Sequence, residues 1–117
     1  MFNSIIFYGA NITAGDLMEI IKEYGEYNLQ ICRSDGVIMQ GNEEELFLEG
    51  YWFNHNCVDD LEKYLEDLNY ARIYNDLTIN EFLKKLQPYK HRVVKVCGDN
   101  EFMITINNNN LSIDTLG

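Results

Sequence analysis

Positive charge is what this chain has least of. Nine lysines and arginines stand against nineteen acidic residues in a length of 117, a formal net charge of −10. The shortage is local. Residues 1–70 hold three basic residues against fourteen acidic ones, and residues 71–117 hold six against five. Phosphates demand Lys and Arg, so direct nucleic-acid binding by the first half is not expected. A basic protein surface is the partner that fits. Solubility is the plainer account of the same charge.

Cysteine is also scarce. Cys32, Cys57 and Cys97 are widely spaced and odd in number, which argues against a disulfide framework and for reduced thiols in a cytoplasm. No stretch approaches the roughly 20 apolar residues of a membrane span, so no membrane partner is expected. The opening eight residues, Met1 to Tyr8, lack the basic segment of a secretory signal. Motifs that carry chemistry are missing too. There is no Walker loop, no GxGxxG, and no CxxC, HxxxH or EF-hand spacing. No cofactor, no metal and no catalytic residue are expected. His55–Cys57 and His91–Cys97 are the thiol–imidazole candidates, and neither has a third, orienting group nearby in the sequence. Nineteen acids make chance carboxylate pairs too common to indicate a hydrolase.

What is present is 46% apolar sequence with strong punctuation. That suffices for one α+β domain over residues 1–117. Thr13 followed by Asp16 opens a helix whose stripe is Leu17, Ile20, Ile21 and Tyr24, with Gly25 at its end. Asn56 opens a second helix over 57–68. Thr78 with Glu81 opens a third, carrying Ile79, Phe82, Leu83 and Leu86, with Lys84 and Lys85 in its last turn and Pro88 as its stop. Strands are predicted over 4–8, 27–33, 37–40, 45–53, 92–97, 101–106 and 111–114. Ser34-Asp35-Gly36 and Gly98-Asp99-Asn100 read as hairpin turns.

Sliding the sequence against itself by 65 positions aligns residues 13–50 with 78–115 without a gap. Thr13 meets Thr78, Tyr24 meets Tyr89, Cys32 meets Cys97, Asn42 meets Asn107 and Leu46 meets Leu111. Caps, turns and apolar positions match more widely than identities do, and Ile20 against Lys85 is a mismatch. The expectation is two α-β-β-β repeats forming antiparallel sheet packed against helices, with Ser4–Tyr8 and Tyr70–Tyr74 each supplying a strand before the helix after a one-residue slip. The helix at 57–68 is an acidic extra between them. Residues 13–50 carry nine acids and two bases, and residues 78–115 four acids and five bases.

Two clusters are candidates for partner binding. Asp59, Asp60, Glu62, Glu66 and Asp67 share one arc of the extra helix, with Lys63 among them. Twelve residues of helix span roughly 18 Å, along which duplex DNA carries roughly ten phosphates. Glu43, Glu44, Glu45 and Glu49 would raise five carboxylates to nine if that strand end lies nearby. Beside them, Tyr51-Trp52-Phe53 cannot all face one way on a strand, so either Trp52 or the Tyr51/Phe53 pair points outward as an anchor.

The stretch from Thr78 to Asp114 resembles small proteins of Firmicute phages and mobile elements. The likeness lies in Thr-Ile-Asn-Glu-Phe-Leu-Lys-Lys-Leu at 78–86 and Val-Lys-Val-Cys-Gly-Asp-Asn at 94–100, and it covers about a third of the chain. It implies a setting in the cytoplasm of a host cell and no functional residues. Small acidic phage proteins outside the virion resemble inhibitors of host defence, including anti-CRISPR proteins, by character and not by motif. The expected function is a non-enzymatic inhibitor that sets acidic surface against the basic nucleic-acid site of a defence nuclease. An immunity protein against a nuclease toxin, a small hydrolase using Cys57 and His55, and a homo-oligomer pairing apolar strand edges are the alternatives.

Overall fold

A computed structural model describes residues 4–51 and 72–116. In chain order the elements are β1 (Ser4–Ala10), α1 (Ala14–Ile21), β2 (Asn28–Ile31), β3 (Gly36–Gly41), β4 (Glu45–Tyr51), β5 (Arg72–Asn75), α2 (Ile79–Leu86), β6 (Val93–Val96), β7 (Glu101–Asn107) and β8 (Asn110–Thr115). The fold is α+β, and the described residues form two short helices and eight strands in two sheets. The helix predicted at 57–68 lies outside the described residues.

Both helices begin where their threonines place them. Thr13 Oγ1 accepts the Asp16 N–H at 3.2 Å, and Asp16 Oδ2 accepts the Thr13 N–H at 3.3 Å. Two otherwise unpaired backbone donors are thereby satisfied. Thr78 Oγ1 accepts the Glu81 N–H at 3.3 Å and donates its own proton to Glu81 Oε1 at 3.0 Å. Ala14, Leu17 and Ile21 form the buried stripe of α1, and Ile79, Phe82 and Leu86 that of α2. Each helix tightens into a 3₁₀ turn, Lys22–Tyr24 and Gln87–Tyr89. Gly25 is not the left-handed cap expected of it, because its φ is −53°. It is glycine because a Cβ there would stand 2.3 Å from the Asn80 side-chain oxygen at the start of α2.

The sheets correct the expected pairing. One runs β1-β7-β8-β2 and the other β5-β3-β4-β6. Each is mixed and not purely antiparallel, since β2 lies parallel to β8 and β4 parallel to β6. Neither Ser34-Asp35-Gly36 nor Gly98-Asp99-Asn100 closes a hairpin. The tight turns fall earlier, at Cys32–Arg33 (φ 50° and 58°) and Cys97–Gly98 (φ 47° and 86°). After each turn the chain crosses to the facing sheet, and the Asp35 N–H already bonds the Tyr51 carbonyl at 2.8 Å. Burial explains the crossing. Gly36 to Met39 are buried four in a row, which suits a central strand covered on both faces and not one arm of a one-sided hairpin.

A single apolar core joins the layers. It includes Leu17 and Ile21 of α1, Phe82 and Leu86 of α2, Val37 and Leu48 of one sheet, and Phe102 and Ile113 of the other.

Backbone hydrogen bonds recur between the halves with each partner moved by 65 positions. The Ala14 N–H to the Arg92 carbonyl (2.8 Å) is matched by Ile79 to Tyr27 (2.8 Å), and Val94 to Ile12 (2.8 Å) by Leu29 to Leu77 (2.8 Å). Asn11 and Asp76, which precede the two helices, are both left-handed, at φ 54° and 51°. The strand before each helix is thus in register at 65, without the expected slip. This is a likeness of backbone path. At the Ile20/Lys85 mismatch, Lys85 sets its ammonium 3.9 Å from the Tyr74 ring centre, so a cation–π contact stands where Ile20 has an aliphatic side chain.

Candidate functional site

The acidic turn between β3 and β4 is the part of the predicted partner surface that the structure describes most fully. Asn42 builds it. Its Oδ1 accepts the Glu44 and Glu45 N–H groups at 2.9 and 2.8 Å, and its own N–H bonds the Glu45 carbonyl at 3.0 Å. A short amide side chain that caps the following backbone in this way fixes a turn. Two residues of the C-terminal half hold the turn from outside. The Val93 N–H bonds the Glu44 carbonyl at 3.0 Å, and the Arg92 guanidinium donates to the Asn42 carbonyl. Glu43 and Glu44 are left exposed at the tip.

Charge at this place is partly answered. Glu45 pairs with Lys95 at 2.9 Å, and that ammonium holds the Glu45 carboxyl below its usual range. Glu49 is half-buried, opposite Ile38. The acidic first half and the near-neutral second half do not form separate lobes, because every sheet takes strands from both. Arg92 and Lys95 come to the acidic turn for that reason. The hairpin at the matching place, β7–β8, carries Asn108 and Asn109 at φ 50° and 64° and presents amides instead.

Tyr51 is buried, with 6% of its surface exposed, and its hydroxyl donates to Asn75. The ring offers no anchor to a partner. Burial, with Asp35 and Asp76 nearby, pushes its pKa up, against the pull of the Asn75 hydrogen bond. Trp52, Phe53, His55, Cys57, Asp59, Asp60, Glu62, Glu66 and Asp67 lie outside the described residues.

The His91–Cys97 pairing fails on geometry. The two residues flank β6 at opposite ends, and four strand residues at roughly 3.3 Å each keep them apart. Cys97 instead lies near enough to Cys32 to perturb its thiol. Burial first, then the Cys97 sulfur, pushes the Cys32 thiol up to about 12. Aligning Cys32 with Cys97 exposes this proximity only once the two halves are known to face each other. Among the described residues, no group of three or more His, Cys, Asp or Glu side chains is placed to hold a metal ion, and no helix is long and apolar enough to cross a membrane.

The outer face of the β1-β7-β8-β2 sheet carries a shallow cleft of about 530 Å³, lined in part by Ile5, Gln30, Arg33, Met103, Ser112 and Asp114. Burial raises the Asp114 pKa and Arg33 opposes the rise. No family model, curated protein or solved structure matches the chain.

Proposed function

We propose that this protein is a non-enzymatic binding protein that offers fixed carboxylates to a basic protein surface. The nucleic-acid site of a nuclease is the surface whose charge suits it, and a phage or mobile-element inhibitor of host defence is the role. The observation that carries this reading is the Glu43–Glu44 tip. It is exposed and backbone-capped by Asn42, and it is anchored to Val93 and Arg92 at its base. A preset turn loses little freedom on binding, and a chain of net charge −10 steers toward cationic partners.

The test is a pull-down from the native host at low and high salt, with wild type and with Glu43→Lys/Glu44→Lys. Capture of a cationic protein that falls at least tenfold in the double variant, and falls again with salt, is the expected result. Folding should be untouched, because surface changes of this kind stay within about 0.5 kcal/mol. Equal capture by both proteins at both salt concentrations rejects the reading.

A further inference from the structure

We propose that the outer edge of β1 is an interface between two copies of this chain, which pair there as antiparallel strands about a two-fold axis. This edge belongs to the other sheet from the acidic turn. Four strands end the two sheets, β1 and β2 in one and β5 and β6 in the other. Three of them are guarded. The Leu29 N–H of β2 bonds the Leu77 carbonyl at 2.8 Å, and the Val94 N–H of β6 bonds the Ile12 carbonyl at 2.8 Å. β5 carries Arg72, and the Lys85 ammonium lies 3.9 Å from the centre of its Tyr74 ring. Cations at a strand edge discourage pairing with another chain. β1 is seven residues long and has neither a charge nor a proline. Residues 1–15 hold no charged side chain, although 24% of the chain is charged. Among the described residues, no strand lies beyond β1.

Register turns hydrogen-bonding groups and apolar surface outward together. The Asn11 N–H bonds the Asn100 carbonyl at 3.0 Å. Alternation along an antiparallel pair then points the backbone groups of Gly9 and Phe7 at β7, and turns the N–H and C=O of Tyr8 and Ala10 away from it. A register shift between Ile5 and Phe7 leaves Phe7 to Ala10 regular. The same shift sets Ile5 opposite Thr105 and Tyr8 opposite Met103, so both side chains share one face. They are 52% and 58% exposed, two of the three large hydrophobic side chains exposed among the described residues. Charge selects a second copy as the occupant. A chain of net charge −10 repels its own kind wherever acids face out, and β1 has no acid to oppose an approach. A basic partner gains nothing from an uncharged strip. A strand edge is complementary to itself, and a two-fold axis uses up both copies of it, so the assembly closes at two. Seven residues at about 3.3 Å each make a narrow contact. It buries less than about 1,200 Å² in total, the size of a weak and reversible association.

The test is sedimentation equilibrium of the whole chain from about 10 µM to about 1 mM, the range in which contacts of this size assemble. Amide hydrogen exchange is followed at both ends of the range. Mass should climb from one chain to two and stop there. The Tyr8 and Ala10 amides should exchange at least tenfold more slowly in the concentrated sample. Salt should strengthen the pairing by screening repulsion between acidic copies, the reverse of its effect on a cationic partner. Ile5→Glu/Tyr8→Glu sets like charges across the two-fold axis and should stay a single chain throughout. It should keep the wild-type melting temperature, because both side chains are exposed. A single chain at every concentration, growth beyond two, pairing that salt weakens or that survives both glutamates, or Tyr8 and Ala10 amides indifferent to concentration would overturn the proposal.

Discussion

Gly36 has no side chain because the ring of Tyr51 occupies the place of one. A Cβ at Gly36 would lie 2.3 Å from that ring, and the ring reaches across to put its hydroxyl on Asn75. Gly36 stands opposite both Tyr51 and Asn75 in the sheet, so three strands meet over one missing methyl. Gly36→Ala should therefore destabilise the protein by about 1–3 kcal/mol through overpacking, measured as a fall in the urea midpoint. Pairing it with Tyr51→Ala should recover part of that loss, and a double variant no better than the sum of its singles would refute the contact. Asp114 gives a second prediction at this scale. Its pKa is raised in the folded state by burial, so the folded protein holds the proton more tightly than the unfolded chain does. That contribution is present below the ordinary value of 3.8 and is lost as pH rises through the folded value. Asp114→Asn should raise stability at about pH 7 by less than about 1 kcal/mol, because solvent screens a half-buried group. It should change nothing at about pH 2.5. Urea unfolding at both values checks the sign.

Single elements were readable from the chain because their causes are local. Thr13 and Thr78 cap helices with their own hydroxyls, and the alternation of Phe102 and Ile104 places both in the core. Strand partners were not readable, because the decision is made by distant burial. The expected hairpin after β2 fails: a turn forms at Cys32–Arg33, ahead of Ser34-Asp35-Gly36, and the chain then leaves for the other sheet. Nothing within a few residues of Ser34 states that β3 will be covered on both faces. The same limit applies to the candidate surface. The exposure of Glu43 and Glu44 was legible as a run of acids beside a turn-forming asparagine. The arrival of Lys95 at Glu45 was not, since it depends on β4 lying parallel to β6. Tyr51 shows the reverse. Alternation allowed it to face either way, and the hydrogen bond to Asn75 fixes it inside.

At the scale of the whole molecule, neither half owns a sheet. The sheet β1-β7-β8-β2 takes its outer strands from the first half and its central hairpin from the second, and β5-β3-β4-β6 does the opposite. A fragment of either half alone would leave a hairpin without flanking strands and two strands without a hairpin, with half of the shared core exposed. Residues 1–60 and 61–117, made separately, should each lack a cooperative melt, and mixing them should restore one. A cooperative transition in either fragment alone would contradict the shared-core account. Non-local pairing of this kind also slows folding, because distant segments must meet before any strand gains its neighbours.

The interlacing has a consequence for order along the chain. Read from β1, the described elements run strand, helix, three strands, and then strand, helix, three strands again. A gene rearranged to start at β5, with a linker carrying β8 back to β1, would spell that same succession. The two sheets would merely exchange places, so the order of the described elements singles out neither half as the first.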